Sequence, residues 1–234
     1  MTDRTTSTPP PSDRKTFLRP IRDALGRSAS IRPTEPPPQV DESLVRLAGP
    51  DDDLGEMFTQ RARAVGMTVH DNIAPGDLIE RVVALLRELG ATRVVTAAVP
   101  NGQALDEALR RDGMTVLDGS APGGLDAQFD TDAGVTGVDA ALAETGTLIC
   151  CSSARHGRGP SLVAPIHLAV VRQSDILPDM IDYWRRLDGT AGTDLPASMV
   201  MITGPSKTAD IEGELIVGVH GPGQVHILLV RDDV

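Results

Sequence analysis

The segment from Pro75 to Val99 constrains the fold more than any other part of this chain. Pro75 opens a helix with Leu78, Val82, Leu85, Leu86 and Leu89 on one face, and Gly90 ends it. Arg93 to Val99 then runs as a β-branched stretch of the kind buried on both faces in a parallel sheet. The same alternation extends to either side. Leu54, Met57, Phe58, Ala62 and Val65 recur at helical spacing before Gly66, and Met67 to His70 reads as a short strand. Gln103 to Arg111 reads as a helix and Met114 to Leu117 as a strand.

Beyond a Gly/Asp-rich loop, Asp139 to Ala143 is expected as a helix, and Thr147–Cys151 and Ile166–Val171 as strands. Ile176, Leu177, Met180, Ile181, Trp184 and Leu187 make a helical stripe, and Met199–Thr203 and Val225–Val230 are the last expected strands. With no heptads and no repeat period, this pattern specifies one α/β domain around a mostly parallel sheet.

The N-terminal part is different in kind. Residues 1–12 are polar and proline-bearing, as expected of a disordered tail. Residues 13–40 are expected to hold a short amphipathic helix, with Phe17, Leu18, Ile21 and Leu25 on one side, followed by a proline-rich tether over Ile31–Val40. Pro20 is tolerable only near the first turn of that helix. Residues 41–234 are left for the α/β domain.

Composition removes several classes of function. A net charge of −11 opposes non-specific binding to nucleic acid, and one Trp, one Tyr and three Phe give no set of stacking platforms for bases. The two cysteines are neighbours, Cys150 and Cys151, too few for an iron–sulfur cluster and poorly placed for a relaxed disulfide. Histidines 70, 156, 167, 220 and 226 lack metal-ligand spacing, and His167 and His226 at strand starts read as structural. Without a signal-peptide core or an apolar run long enough to span a bilayer, a cytoplasmic location is expected.

Three clusters carry candidate chemistry. In Glu144–Thr145–Gly146–Thr147, a glycine lets the backbone approach a ligand, two hydroxyls flank it, and Glu144 is a candidate general base or nucleophile; on the residues alone an ordinary helix stop is the favoured reading. In Gly204–Glu212, Ser206, Lys207 and Thr208 lie between a strand and an expected helix beginning at Ala209–Asp210–Ile211–Glu212. Such a junction is an anion site, or merely a capped helix. It is no P-loop, since that spacing is absent and Pro205 removes one donor. In Gly218–Pro222, His220 stands on a loop suited to acid–base work. A fourth segment, Arg155 to Ser161, is basic and glycine-rich, either an anion-binding loop or a solvated one.

Taken in order, Ala-Glu-Thr-Gly-Thr (Ala143–Thr147), Gly-Pro-Ser-Lys-Thr-Ala-Asp-Ile-Glu (Gly204–Glu212) and Gly-Val-His-Gly-Pro (Gly218–Pro222) resemble the lactate-utilisation protein C (LutC/YkgG) family, whose module is the LUD domain. The likeness continues through Asp132–Leu142 and Pro165-Ile-His, and covers roughly Asp51 to Val230. It implies a fold like the NagB/RpiA/CoA-transferase group, which binds anionic small molecules at the C-terminal ends of sheet strands.

The resemblance also implies a subunit needed to oxidise L-lactate to pyruvate, beside a cysteine-rich partner and an iron–sulfur partner. This chain would bind no cofactor itself, and the clusters would belong to the partners. The implied anion site comprises Thr145, Gly146, Thr147, Gly204, Ser206, Lys207, Thr208, Asp210 and Glu212, with Glu144 and His220 as the catalytic candidates. The alternative is a free-standing transferase- or ligase-like enzyme acting on a nucleotide, folate or acyl-CoA derivative through Glu144.

Overall fold

A computed structural model describes residues 14–26, 41–118, 124–153, 157–190, 194–211 and 214–232. The expected tail (1–12) and the 31–40 tether lie outside the described residues. The chain divides into two compact units, Met1–Val45 and Arg46–Val234. The first contains α1 (Arg14–Ala24), which exposes Phe17 and Ile21, and Leu25 just after it is exposed as well. Pro20 stands beyond its first turn, so the carbonyl of Thr16 has no helical N–H to accept from.

The second unit runs α2 (Leu54–Ala64), β1 (Thr68–Ile73), α3 (Leu78–Glu88), β2 (Arg93–Ala97), α4 (Gly102–Arg111), β3 (Thr115–Asp118), α5 (Gly124–Gln128), β4 (Ala133–Gly137), β5 (Ala140–Leu142), β6 (Thr147–Cys151), α6 (Gly159–Leu162), β7 (Ile166–Arg172), β8 (Ile176–Leu177), α7 (Met180–Leu187), β9 (Met199–Ile202), β10 (Lys207–Ile211), β11 (Glu214–Val217) and β12 (Gln224–Val230). Six strands form the central sheet in the order β1-β12-β7-β4-β2-β3, with every pairing parallel.

Its strands read as near-continuous apolar runs because both faces are covered. Leu168 and Val170 of β7, with Leu228 and Val230 of β12, pack under α3 and α4. The alternate residues Ala169, Val171, Ile227 and Leu229 face α2 together with Leu148 and Ile176 of a second sheet. That sheet, β8-β5-β6-β9, buries Leu142 and Ile149 on its far side against Tyr183 of α7. Strands β10 and β11 form a separate antiparallel hairpin.

The mostly parallel α/β architecture matches the sequence reading, but three elements do not. Asp139–Ala143, expected as a helix, contains β5 instead, paired antiparallel with β6 and parallel with β8. Ala140, Ala141 and Leu142 are 2% exposed or less, so two-sided burial overrides the helical propensity of alanine. The Ile176–Leu187 stripe divides into β8 and α7, because Asp179 caps a new helix by accepting N–H bonds from Ile181 and Asp182. Ala209 to Ile211 belongs to β10 and starts no helix.

Strand β4, at the middle of the sheet, carries no strand signal. Two of its five residues are glycine, and at Gly134 a Cβ would stand 1.7 Å from the carbonyl oxygen of Pro160 in α6. Close approach of the crossing helix fixes that residue.

Candidate functional site

The turn from β5 to β6 holds the first cluster. The N–H groups of Ala143 and Glu144 donate to the carbonyls of Leu177 and Pro178, which seats the turn beside β8. Gly146 has φ 65°, and a Cβ there would lie 2.4 Å from the backbone nitrogen of Ala62 in α2. This glycine therefore serves turn-on-helix packing. Glu144 is half-buried, and its Oε1 accepts the N–H groups of Leu47 at 2.6 Å and Ala48 at 2.8 Å. Beside it the hydroxyls of Thr145, Thr147 and Thr203 form a chain, with Oγ1–Oγ1 distances of 2.7 and 2.8 Å. Only the middle one is buried.

The second cluster leaves the end of β9 and meets the C-terminus of α2. A Cβ on Gly204, whose φ is 100°, would approach the Val65 carbonyl oxygen to 2.6 Å. Lys207 Nζ donates to that same oxygen at 3.2 Å. An ammonium at this end of a helix meets its partial negative charge. The Ser206 N–H donates to the Pro222 carbonyl, and the Ser206 carbonyl accepts from Gly218 N–H, both at 2.9 Å. Those bonds tie the second cluster to the third. Thr208 pairs with Ile216 in the hairpin and Asp210 lies farther along β10, while Glu212 falls outside the described residues. His220 is exposed on the loop before β12.

The first two motifs thus meet at the C-terminal end of α2, and the third joins them through Ser206. The expected helix N-terminus is missing from the junction, because β10 uses its backbone groups in a strand pairing. The edge of the sheet also differs from expectation. Gly223 N–H donates to the Pro165 carbonyl at 2.9 Å, placing the Gly218–Pro222 loop at the amino ends of β7 and β12. Of the basic loop, Arg155 lies outside the described residues and Arg158 is exposed just before α6.

The model of the LUD domain family matches residues 55–230. The chain belongs to the LUD domain family. Lactate utilization protein C of Halalkalibacterium halodurans is 30% identical over 230 residues, covering 94% of this chain and 98% of that protein. The uncharacterized protein YkgG of Escherichia coli is likewise 30% identical, over 94% of this chain and 99% of its own. Lactate utilization protein C of Bacillus subtilis is 41% identical over 101 residues, 42% of each chain. A DUF162 family protein from Deinococcus radiodurans shares the fold, with a TM-score of 0.58 and 24% identity over 76% of this chain and 96% of its own. These relatives support a role in lactate utilisation.

In this LUD domain, sequence reading missed a cavity of about 660 Å³ between the end of β6 and α7, lined by Asp139, Cys151, Tyr183, Arg186 and Asp194 among others. Cys151 Sγ and Tyr183 Oη are 3.4 Å apart, and burial raises the pKa of both. The neighbouring Cys150 thiol is pushed up to about 12, chiefly by burial. The signals available were faint: the only Tyr of the chain, and an aspartate inside the Asp132–Leu142 run.

The sequence marks His167 as structural. It is fully buried in β7, with Nε2 2.8 Å from Thr136 Oγ1 and Nδ1 without a partner, and burial lowers its pKa to about 4. Among the described residues, no group of three or more His, Cys, Asp or Glu could hold a metal ion, and no helix is long and apolar enough to cross a membrane.

Proposed function

We propose that this chain is the subunit without a cluster in an assembly that oxidises L-lactate to pyruvate, with the electrons carried by iron–sulfur and cysteine-rich partner subunits. The observation that carries the reading is the near end-to-end likeness to lactate utilization protein C, 30% over 94% of this chain. The chemistry of its thiols supports the division of labour. A cluster needs thiolates, and burial disfavours that form in both Cys150 and Cys151.

The competing reading, acyl or nucleotide transfer through Glu144, is weakened by the two backbone N–H bonds that hold Oε1. Those bonds make Glu144 a clasp for the Arg46–Ala48 segment. Arg46 reinforces the clasp through paired bonds of 3.0 Å to Asp182.

Cells deleted for this chain should lose growth on L-lactate as sole carbon source and regain it when the chain is restored. A cysteine-rich protein and an iron–sulfur protein should co-purify with it from lactate-grown cells. Normal growth of the deletion strain, in a background lacking every other lactate dehydrogenase, would remove the reading.

A further inference from the structure

We propose that the cavity between β6 and α7 binds a small 2-hydroxy or 2-oxo carboxylate, with the carboxylate on Arg186 and the 2-oxygen on the Tyr183 hydroxyl. The choice of lactate and pyruvate as probes rests on the lactate-utilisation reading, whereas the class of ligand rests on the cavity.

Tyr183, Arg186 and Leu187 stand three and four residues apart on α7, so they share the face turned to the cavity. Tyr183 forms the deep end: the residue is 2% exposed, and its hydroxyl has a thiol 3.4 Å away as its partner. Sulfur is a weak hydrogen-bond partner, so this phenol remains available to a better acceptor. Burial keeps it protonated and therefore a donor.

The charges at the mouth differ in how far they are engaged. Asp139 already accepts the Cys151 N–H at 2.6 Å, and Asp194 has an interaction partner of its own. Among the described residues, Arg186 reaches the Asp139 carbonyl oxygen alone, at 3.4 Å, near the limit for a hydrogen bond. Among the described lining residues its fork of donors is thus the least engaged charge, and a planar guanidinium fork matches a carboxylate by two parallel bonds. The Tyr183 phenol, on the same helix face and lining the same cavity, offers a donor for the oxygen on the adjacent carbon of a 2-hydroxy or 2-oxo acid. The volume, about 660 Å³, also admits longer acids of the class.

Titration calorimetry of the full chain with L-lactate, pyruvate and acetate tests this directly. Lactate or pyruvate should bind, with acetate, which lacks the 2-oxygen, at least tenfold weaker. Arg186→Gln should weaken binding at least tenfold and Tyr183→Phe several-fold, each with an unchanged circular dichroism spectrum and melting temperature. Heat from neither acid at millimolar concentration, wild-type binding by Arg186→Gln, or acetate binding as well as lactate would each overturn the proposal. The growth experiment separates the two ideas. Binding by a chain that cells do not need on lactate sinks the functional reading alone, and lost growth with no binding sinks this one alone.

Discussion

The junction at the end of α2 and the cavity beside α7 are built from the same kinds of residue and use them in opposite ways. At the junction, the side chains and glycines that make the motif conspicuous are engaged by the protein itself. Glu144 holds backbone N–H groups, Lys207 caps a helix, Gly146 and Gly204 admit a neighbouring backbone, and three threonine hydroxyls bond in series. Beside α7, among the described residues, a guanidinium makes one long bond to a carbonyl oxygen and a phenol has a thiol for its partner. A motif rich in chemical groups can therefore be a structural fastener, and a site is better sought where donors remain unengaged.

The sharpest way to break this contrast is Gly146→Val. Its Cβ would collide with α2 at a backbone φ that suits glycine, so the variant should lose 3 kcal/mol or more, on the order of a severe core defect, or fail to fold in urea titration. Near wild-type stability would mean that the turn is not fastened to α2.

Acidification should come next. His167 titrates near 6.5 when unfolded and near 4 when folded, so the unfolded chain binds its proton first. Stability from this group is complete above about pH 6.5 and declines toward pH 4, by about 3 kcal/mol in all. His70 and His226, stacked with ring centroids 5.6 Å apart and both lowered, add to the same direction. A urea midpoint that stays flat from pH 7 to pH 4.5 would contradict the buried neutral imidazole.

Thr147→Val removes the middle hydroxyl of the chain and should cost about 1 kcal/mol, since both neighbours can turn to water. The smallest effect belongs to Lys207→Ala. As a helix cap it should cost roughly 0.5 kcal/mol and leave growth on lactate intact. Loss of growth without loss of stability would instead restore Lys207 as an anion-binding residue.

Much of the central sheet was legible because β2, β7 and β12 are apolar on both faces and their helices carry clear stripes and stops. Strand β4 was not, because its glycines answer to the Pro160 backbone, a contact that no local pattern encodes. Strand β5 departs from expectation for a related reason: two alanines and a leucine say helix locally, and only the second sheet makes them a strand. For the site, the sequence showed which residues belong together, and Ser206, Gly218 and Pro222 do meet. It did not show which way their donors point. Tyr183 and Arg186 of the cavity were hidden because tyrosine and arginine on an amphipathic helix look like ordinary packing and solvation.

The clasp on Glu144 has a consequence for the order of assembly. Its bond to Leu47 joins residues 97 apart in sequence, and the turn that presents the carboxylate is itself held by β8, farther along the chain. Closing so long a loop gives no return until the turn exists. Segment 46–48 should therefore zip on late and release early, and its amides should exchange with solvent through local opening, well before those of β7 or β12.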